Sequence, residues 1–340
     1  MARAQSLERG EETRLRSLFK QQFEMFSRPL PTENEIIHQW PDDSPVMVSI
    51  VCAVYNHAHL VEDAIISFLL QETNFRFEII LRDDASTDGS QEVLRQYKRK
   101  YPSIIRLKLN EENQFSKGWR AVYDFPALVE GKYVAICQGD DFWISATKLQ
   151  RQVDQLESFP SCVMSVGGTI MFDVVANSGK ETGNVEETIV YSKLPDQYFH
   201  PSTYLVRAKP WAKIITKYFI PSGIGGDTPL RKLLIHDGCF AACSGVMSVY
   251  WINGLGIWTS LGSLKKVMWE FRSSWVALKA YPLANARSEI PSLIKLGHQV
   301  FILSLKEKAF IRCIRLAPFS LLFFVAKALS KFRKILLLAK

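Results

Sequence analysis

Short apolar runs alternate with segments of helical periodicity in the first part of the chain. Three nearly continuous runs have the composition of strands buried on both faces of a parallel sheet; they lie at residues 47–54, 77–81 and 104–109. The segments between them, residues 60–71 and 91–101, repeat their apolar positions as helices do. This β-α-β-α-β order predicts an α/β domain whose parallel strands are joined by right-handed crossovers.

A fourth predicted strand, residues 133–137, is followed by two adjacent carboxylates, Asp140 and Asp141, and then by a segment of helical spacing. Open α/β sheets bind their ligands beyond the carboxyl ends of the strands. Paired acids at that point suit a hard divalent cation that is shared with a phosphate-bearing substrate. The alternative is that both aspartates complete a polar turn and bind nothing.

A second acidic pair, Asp83 and Asp84, follows the strand at residues 77–81 in a turn rich in Ser, Thr and Gly. The chain has no GxGxxG motif after its first strand, and no GxxxxGKS or GxxxxGKT motif. Phosphates are therefore expected to be held through a metal ion and not by a glycine-rich amide cradle. This combination indicates a nucleotide-diphosphate donor more than NAD binding or ATP hydrolysis.

Positive charge is concentrated near the C-terminus. The net charge is +8, and residues 285–340 contain eleven Lys or Arg against Glu289 and Glu307. The rest of the chain is close to neutral, which argues against nucleic acid as the partner. Residues 317–326 are apolar over too short a length to span a bilayer, but the basic amphipathic segment 317–340 is predicted to contact an anionic membrane surface. The alternative is a helix packed on the main domain with its lysines in water.

Residues 1–27 have the pattern of a charged amphipathic helix and lack the apolar core of a signal peptide. Its apolar stripe is predicted to be a packing surface and consists of Leu15, Leu18, Phe19, Phe23 and Phe26. A proline-containing stretch over residues 29–43 then predicts a linker. The expected organisation is a helix and linker at 1–45, the α/β domain at 46–262 and a helical, basic segment at 263–340.

The six cysteines form no CxxC pair, and Cys239 and Cys243 have no further Cys or His at zinc-like spacing. A zinc site is therefore not expected. Reduced thiols in a cytoplasmic setting are the prediction.

Several separated motifs resemble those of one known family, and they occur in the same order. They are VSIVCAVYNHAHLVEDAIISFLLQ, RDDASTDGS, ENQFSKGW, GKYVAICQGDDFW, KLQRQVDQLE and GGDTPLRKLLIHDGCFAACSGVMSVYWINGLGIW. Over residues 46–260 the chain resembles family 2 glycosyltransferases, in the subset whose metal motif reads GDD-aromatic-Trp. The resemblance implies the GT-A fold, a Rossmann-like α/β architecture with a mainly parallel sheet flanked by helices.

The resemblance also implies an activity. The protein would transfer a sugar, with inversion, from a nucleotide-diphosphate donor to a glycan or lipid-linked acceptor, with Mg²⁺ or Mn²⁺ as cofactor. The implied setting is the synthesis of a surface polysaccharide at the cytoplasmic, inner face of a bacterial membrane, to which the protein would be peripherally bound.

Roles for individual residues follow from the same resemblance. Asp84, with Asp83 in support, would recognise the nucleotide base. Asp141 would coordinate the metal ion, and Asp140 would lie near the metal or the ribose. Asp227 would be the general base, although the sequence Asp-Thr-Pro also suits a helix N-cap. Further donor contacts would come from Ala53, Tyr55, Asn56 and Lys117. The acceptor side would include Trp143, His200 and Gly226.

Some positions depart from the family pattern. Ala53 stands where the family usually has Pro, and Gln138 stands where many members carry the first acid of the metal motif. Trp251 and Asn253 replace an Arg and a His that help to grip the diphosphate in related sequences, and Lys117 is the expected substitute. Two alternatives stay open: a non-catalytic nucleotide- or glycan-binding subunit, and a sugar nucleotidyltransferase, whose glycine-rich, basic N-terminal loop the chain lacks.

Overall fold

The computed structural model describes residues 9–254, 256 and 261–306. The chain divides into two compact units, Met1–Leu255 and Gly256–Lys340. The N-terminal helix therefore belongs to the same unit as the α/β domain. The domain boundaries at 45/46 and 262/263 stay predictions.

The N-terminal helix α1 (Arg9–Lys20) packs on the main sheet through its apolar stripe. Four stripe residues lie in or against a hydrophobic cluster that includes Phe142 and Trp251; they are Leu15, Phe19, Phe23 and Phe26. The fifth, Leu18, is 53% exposed. Burial of this stripe stabilises the short helix, which would be marginal alone.

The stretch predicted as a linker contains helix α2 (Glu33–Ile37), and a 3-10 turn, Glu24–Ser27, lies just before it. The side chain of Thr32 accepts from the Glu35 backbone N–H, and Glu35 in return accepts from the Thr32 backbone, which is a complete capping box. Ile36 and Trp40 are buried. The segment is therefore part of the packed domain.

The four strands predicted from the apolar runs form the parallel half of one sheet. They are β1 (Val48–Val54), β2 (Phe77–Asp83), β3 (Ile105–Leu109) and β4 (Tyr133–Ile136), in the spatial order β3-β2-β1-β4. The crossovers contain α3 (Val61–Leu69) and α4 (Ser90–Lys100), so the two predicted helices are confirmed. All three neighbouring strand pairs are parallel, as predicted.

Beyond β4 the sheet continues as a mixed half that the apolar pattern does not predict. Its strands are β5 (Phe142–Trp143), β6 (Cys162–Asp173), β7 (Ser178–Thr182), β8 (Ile189–Tyr191), β9 (Leu205–Arg207) and β10 (Cys239–Ile252). The order runs from β4 to β9, β6, β10 and β5, with β7 beside β6 and β8 beside β10. Strand β9 is antiparallel to both neighbours, whereas β10 is parallel to β6. Helix α5 (Lys148–Ser158) packs against β6 and β10.

The connection from β9 to β10 is helical. It contains α6 (Ala208–Ile214), a π-helical turn (Ile215–Phe219), α7 (Ile220–Ser222) and α8 (Asp227–Leu234). Single 3-10 turns elsewhere in this unit are Ala121–Tyr123, Phe125–Ala127 and Pro201–Thr203. Gly226, with φ of 108°, directly precedes α8, and a side chain there would be strained.

A disulfide joins Cys162, at the start of β6, to Cys239, at the start of β10. The two residues are register partners of the parallel strands, which brings their side chains together. The prediction of reduced thiols is therefore wrong for this pair. The other three cysteines of the described residues are free and buried, namely Cys52, Cys137 and Cys243.

In the second unit, α9 (Ser263–Ala280) and α10 (Pro282–Lys306) pack against each other. Within the part of the chain that the structure describes, no helix combines the length and the apolar character needed to cross a bilayer. The predicted membrane-contacting segment, residues 317–340, lies outside the described residues.

Candidate active site

Asn56 connects the turn that follows β1 with the turn that follows β2 through two hydrogen bonds. Its Oδ1 accepts the Thr87 backbone N–H (2.9 Å), and its own backbone N–H donates to Ser86 Oγ (2.8 Å). Asn56 has a left-handed backbone (φ 54°), which Asn tolerates better than most residues do. The predicted donor residues Ala53, Tyr55 and Asn56 thus line one edge of the sheet, and Tyr55 is 47% exposed.

The carboxylates of Asp83 and Asp84 are buried and accept hydrogen bonds from the chain itself. Asp83 accepts from the Ser86 backbone N–H (2.9 Å) and from Gln91 Nε2 (2.7 Å). Asp84 accepts from Arg82 Nη1, Asn110 Nδ2 and the backbone N–H groups of Gln114 and Phe115. Burial alone would raise the pKa of Asp84, but these hydrogen bonds and the Arg82 charge lower it. Asp84 therefore organises the loop at residues 110–115.

The loop that Asp84 holds carries exposed aromatic rings. Phe115 and Trp119 are 41% and 38% exposed, and the Arg120 guanidinium lies 4.3 Å from the centroid of the Phe115 ring. Lys117, the expected diphosphate contact, is exposed and forms an ion pair with Glu112. Open ring faces of this kind suit stacking on a planar base.

The turn after β4 holds Asp140 and Asp141 in unequal surroundings. The Asp140 side chain is 21% exposed, and its Oδ2 lies 4.0 Å from His57 Nε2. The Asp141 side chain is 3% exposed; its Oδ1 accepts the Trp251 backbone N–H (3.3 Å), and its Oδ2 lies 3.9 Å from His200 Nδ1. Burial and the neighbouring Asp140 charge raise the pKa of Asp141 well above its ordinary value. A cation at this turn would therefore stabilise the ionised pair.

Two carboxylates are enough protein ligands for Mg²⁺ when a substrate supplies phosphate oxygens. Within the described residues no group of three or more His, Cys, Asp or Glu side chains is placed to hold a metal ion. The residues present therefore fit an ion that shares its coordination with a bound diphosphate, and they do not form a complete protein cage.

His200 and two tyrosines connect the aspartate turn with the start of α8. The His200 ring stacks on Tyr250 (centroids 4.3 Å apart) and meets Tyr198 edge-on (6.3 Å). Burial lowers the pKa of His200 to about 3, so the ring is neutral near pH 7. Burial raises the pKa of Tyr198, and the charges of Asp227 and Asp141 both add to that rise. Tyr198, which the sequence did not single out, is thus within electrostatic reach of both aspartates.

Asp227 is the first residue of α8 and follows the N-cap residue Gly226. The alternative in which Asp227 itself caps the helix is therefore not observed. The Asp227 side chain is 29% exposed, and its Oδ2 lies 3.9 Å from Arg231 Nη2 one turn later. The helix N-terminus stabilises a negative charge at this position, and the carboxylate is partly accessible to solvent.

Trp143, expected on the acceptor side, is fully buried. Its Nε1 donates to the backbone oxygen of Ser202 (2.7 Å), and its ring packs against Phe68 and beneath the ammonium group of Lys148. The structure therefore contradicts direct contact of Trp143 with an acceptor. Its large apolar surface fills the core beneath the site.

The side chains of Trp251 and Asn253 form hydrogen bonds with α1. Glu12 Oε1 accepts from Trp251 Nε1 (2.9 Å) and from Asn253 Nδ2 (3.0 Å). One turn further along α1, Arg16 Nη1 donates to the backbone oxygen of Asp140 (2.7 Å). Glu12 and Arg16 are 3% and 1% exposed. The amphipathic pattern did not predict these contacts, because charged residues on an amphipathic helix usually face water.

Comparison with known proteins agrees with this geometry. Residues 49–208 match the family model described as Glycosyl transferase family 2. The matched residues extend from β1 to the end of β9 and include both acidic turns. The likeness to glycosyltransferase family 2 therefore concerns this part of the chain, 160 of its 340 residues.

Curated relatives come from several bacteria. The chain is 28% identical over 240 residues to the uncharacterized protein Rv1520 of Mycobacterium tuberculosis, covering 68% of this chain and 66% of the relative. It is 33% identical to the putative teichuronic acid biosynthesis glycosyltransferase TuaG of Bacillus subtilis, covering 39% and 49%. It is 31% identical to the UDP-Glc:alpha-D-GlcNAc-diphosphoundecaprenol beta-1,3-glucosyltransferase WfaP of Escherichia coli, covering 33% and 42%. The chain thus spans less than two thirds of each of these relatives.

Among solved structures, S. aureus TarS 1–349 in complex with UDP has a TM-score of 0.52 to this chain at 14% identity. The likeness covers 74% of this chain and 70% of the TarS chain. At this identity the likeness concerns the fold, and it confirms the predicted GT-A architecture.

Proposed function

We propose that this protein transfers a sugar, with inversion, from a nucleotide-diphosphate donor to a hydroxyl of a glycan or lipid-linked acceptor. One observation carries the proposal: Tyr198 lies between the aspartate pair at the end of β4 and Asp227 at the start of α8. Its ring meets the His200 ring edge-on, and His200 Nδ1 lies 3.9 Å from Asp141 Oδ2. The Arg231 guanidinium lies 5.7 Å from the centroid of the Tyr198 ring, and its Nη2 is 3.9 Å from Asp227 Oδ2. This arrangement supports a diphosphate site and a base for an acceptor hydroxyl on either side of one tyrosine.

The names of the relatives support the substrate class. TuaG is named for teichuronic acid biosynthesis, and WfaP is named as a glucosyltransferase that uses UDP-Glc and a diphosphoundecaprenol-linked GlcNAc. The TarS structure contains UDP. We extend from these names to a nucleotide-sugar donor and to a role in the synthesis of a bacterial surface polysaccharide.

On the donor side, the nucleoside would lie against the loop at residues 110–115. Asp84 would act on the base through this loop, because its own oxygens already accept four groups. The exposed faces of Tyr55 and Phe115 offer surfaces on which the base can stack. Asp83 supports the arrangement by holding the turn at Ser86.

At the diphosphate, Asp140 and Asp141 would hold Mg²⁺ or Mn²⁺, with Asp140 presenting the more exposed carboxylate. The ion, when bound, supplies positive charge for the leaving diphosphate. His200 and Tyr250 close the inner side of the pair, so that Asp141 is shielded from water.

The reaction itself would depend on Asp227. Its carboxylate accepts the proton of the acceptor hydroxyl while that oxygen attacks the anomeric carbon. The new carbon–oxygen bond forms on the face opposite the diphosphate, the old bond breaks, and the nucleoside diphosphate leaves with the bonding electrons. Inversion follows from this single displacement.

The test is a panel of nucleotide sugars with Mn²⁺, measured for binding and turnover with wild type, Asp141→Ala and Asp227→Asn. Asp141→Ala should lose metal-dependent donor binding. Asp227→Asn should bind the donor normally and lose about 100- to 10,000-fold in kcat. Asp154→Asn, on the exposed side of α5, is the matched control and should behave as wild type. Full turnover by Asp227→Asn, or a wild type that binds no donor with metal, would contradict the proposal.

We also propose that residues 317–340 attach the enzyme to the inner face of an anionic membrane, since this segment combines an apolar face with Lys327, Lys331 and Lys334. The full-length protein should sediment with vesicles that contain anionic lipid and not with neutral ones. Deletion of residues 317–340 should abolish that binding. Vesicle association that persists unchanged after the deletion would exclude this role for the segment.

A further inference from the structure

Helix α1 places two buried charged residues against the candidate metal site. Arg16 and Glu12 are one helical turn apart and therefore lie on the same face of the helix. Burying a charge is costly unless it is paired and hydrogen-bonded. The contacts of these two side chains are therefore specific, and they identify what the helix does.

Arg16 ties the turn of Asp140 to helix α3. Its Nε donates to Asp63 Oδ2 (2.6 Å), its Nη1 to the Asp140 backbone oxygen (2.7 Å) and its Nη2 to the Leu60 backbone oxygen (3.4 Å). The guanidinium also lies 4.6 Å from the centroid of the Phe142 ring. Phe142 directly follows Asp141 in the chain, so Arg16 contacts the residues on both sides of Asp141.

Glu12 fixes the opposite wall. Besides accepting from the side chains of Trp251 and Asn253, it meets His59 through Oε2, 3.3 Å from His59 Nε2. The Trp251 backbone N–H in turn donates to Asp141 Oδ1 (3.3 Å). Glu12 thus reaches Asp141 through Trp251, and Arg16 reaches Asp140 directly.

We propose that Glu12 and Arg16 are positioning residues of the donor site, and that α1 is a built-in support for the metal-binding pair Asp140 and Asp141. This inference rests on the proposed function, because the ligand of the pair is the metal ion and donor assigned above. It also explains the side chains at Trp251 and Asn253. The side-chain N–H groups of both residues donate to the Glu12 carboxylate on α1.

The first experiment uses the full-length protein with Arg16→Met, which keeps the aliphatic length and removes the guanidinium. Loss of a group that orients a metal ligand typically costs about 10- to 100-fold in metal affinity. Arg16→Met should therefore raise the Kd for Mn²⁺ and the KM for the donor by about that factor, with a smaller change in kcat. Arg16→Lys should restore part of the loss, because an ammonium can replace one contact of the fork and not all three.

Arg14→Met is the matched control, because Arg14 lies on the exposed face of the same helix. It should leave the Kd for Mn²⁺ and the KM for the donor unchanged. Unchanged values in a folded Arg16→Met would overturn the proposal. A gain of activity in Arg16→Met or Glu12→Gln would also overturn it, since the helix would then be an inhibitory cover.

Hydrogen exchange separates this proposal from the proposed function, because it needs neither metal nor donor. In Glu12→Gln and Arg16→Met the backbone N–H of Trp251 should exchange faster than in wild type, as its acceptor Asp141 is no longer held in place. If wild type fails to bind any donor while this exchange effect is present, the activity is wrongly assigned and the positioning is correct. If the exchange of Trp251 is unchanged in both variants, the positioning is wrong even for an active enzyme.

Discussion

Replacing Lys148 by Met should remove a specific pH dependence of stability. Lys148, the first residue of α5, is fully buried, and its ammonium donates to Gln152 Oε1 (2.8 Å) and lies 4.1 Å from the centroid of the Trp143 ring. Burial lowers the pKa of Lys148 to about 7. The folded protein therefore accommodates a neutral lysine much better than a charged one.

The sign follows from proton binding in the two states. The pKa of lysine in an unfolded chain is about 10.4, so between pH 7 and 10 the unfolded chain binds more protons at Lys148 than the folded protein does. The free energy of unfolding should therefore rise through this window by roughly 1 kcal/mol per pH unit, or about 3 to 4 kcal/mol in total. Below pH 7 Lys148 is protonated in both the folded and the unfolded state. Its contribution to the free energy of unfolding is then constant and at its least favourable value.

The assay is urea unfolding of wild type and Lys148→Met from pH 6.5 to 9.5, analysed as the difference between the two proteins. Burial raises the pKa values of the Cys52 and Cys137 thiols, so these residues make the free energy of unfolding fall as the pH rises. Both cysteines are present in both proteins, and taking the difference cancels their contribution. Methionine also leaves Gln152 Oε1 without this donor, which costs about 1–3 kcal/mol at every pH and does not affect the slope.

The stability advantage of Lys148→Met over wild type should shrink steadily as the pH rises. Lys209→Met, an exposed lysine on α6, should show a constant difference from wild type over the same range. Parallel curves for wild type and Lys148→Met would refute the reasoning, because they would mean that the buried ammonium is solvated as well in the folded protein as in the unfolded chain.

Three further predictions concern other features of the fold. Cys239→Ser should lower the free energy of unfolding by about 4 kcal/mol under oxidising conditions, since the lost disulfide closes a loop of 77 residues; a denaturation curve that does not respond to reductant in wild type would argue against the disulfide. Thr32→Ala should cost about 1 kcal/mol by urea unfolding because it removes the capping box of α2, and Thr32→Ser should restore most of it. Asp84→Asn should speed proteolytic cleavage at residues 110–120 and weaken donor binding. The reason is that the asparagine amide cannot accept from all four groups that now donate to Asp84. An unchanged cleavage rate would mean that other contacts hold the loop.

The parallel half of the sheet was predictable because each strand is an unbroken apolar run bounded by turns and joined through a helix. The mixed half was not. Strand β5 has two residues and β9 has three, so neither shows a periodicity. Strand β6 contains Gly167 and Gly168, which disfavour an extended strand in sequence reasoning. Its position is determined by pairing with β10, more than seventy residues later in the chain.

Some residues of the candidate site were likewise predictable from the sequence, and others were not. Asp140, Asp141 and Asp227 carry local signals, since each lies in a turn or at a helix start that the sequence marks. The roles of Glu12 and Arg16 depend on partners from distant segments, and a helical pattern assigns such charges to solvent. Trp143 was expected at the binding surface because it is an aromatic residue beside an acidic motif. Its indole is instead fully buried and fills the core.

The docking of α1 also has a consequence for the order in which the protein assembles. Glu12 is synthesised 239 and 241 residues before its partners Trp251 and Asn253. Until β10 has been synthesised, Glu12 lacks both of these donors and the aromatic stripe lacks Trp251, although Arg16 can already pair with Asp63 and Asp140. The docking of α1 is therefore complete only after β10 has formed, and a fragment that ends before β10 leaves part of the apolar stripe uncovered, which favours aggregation.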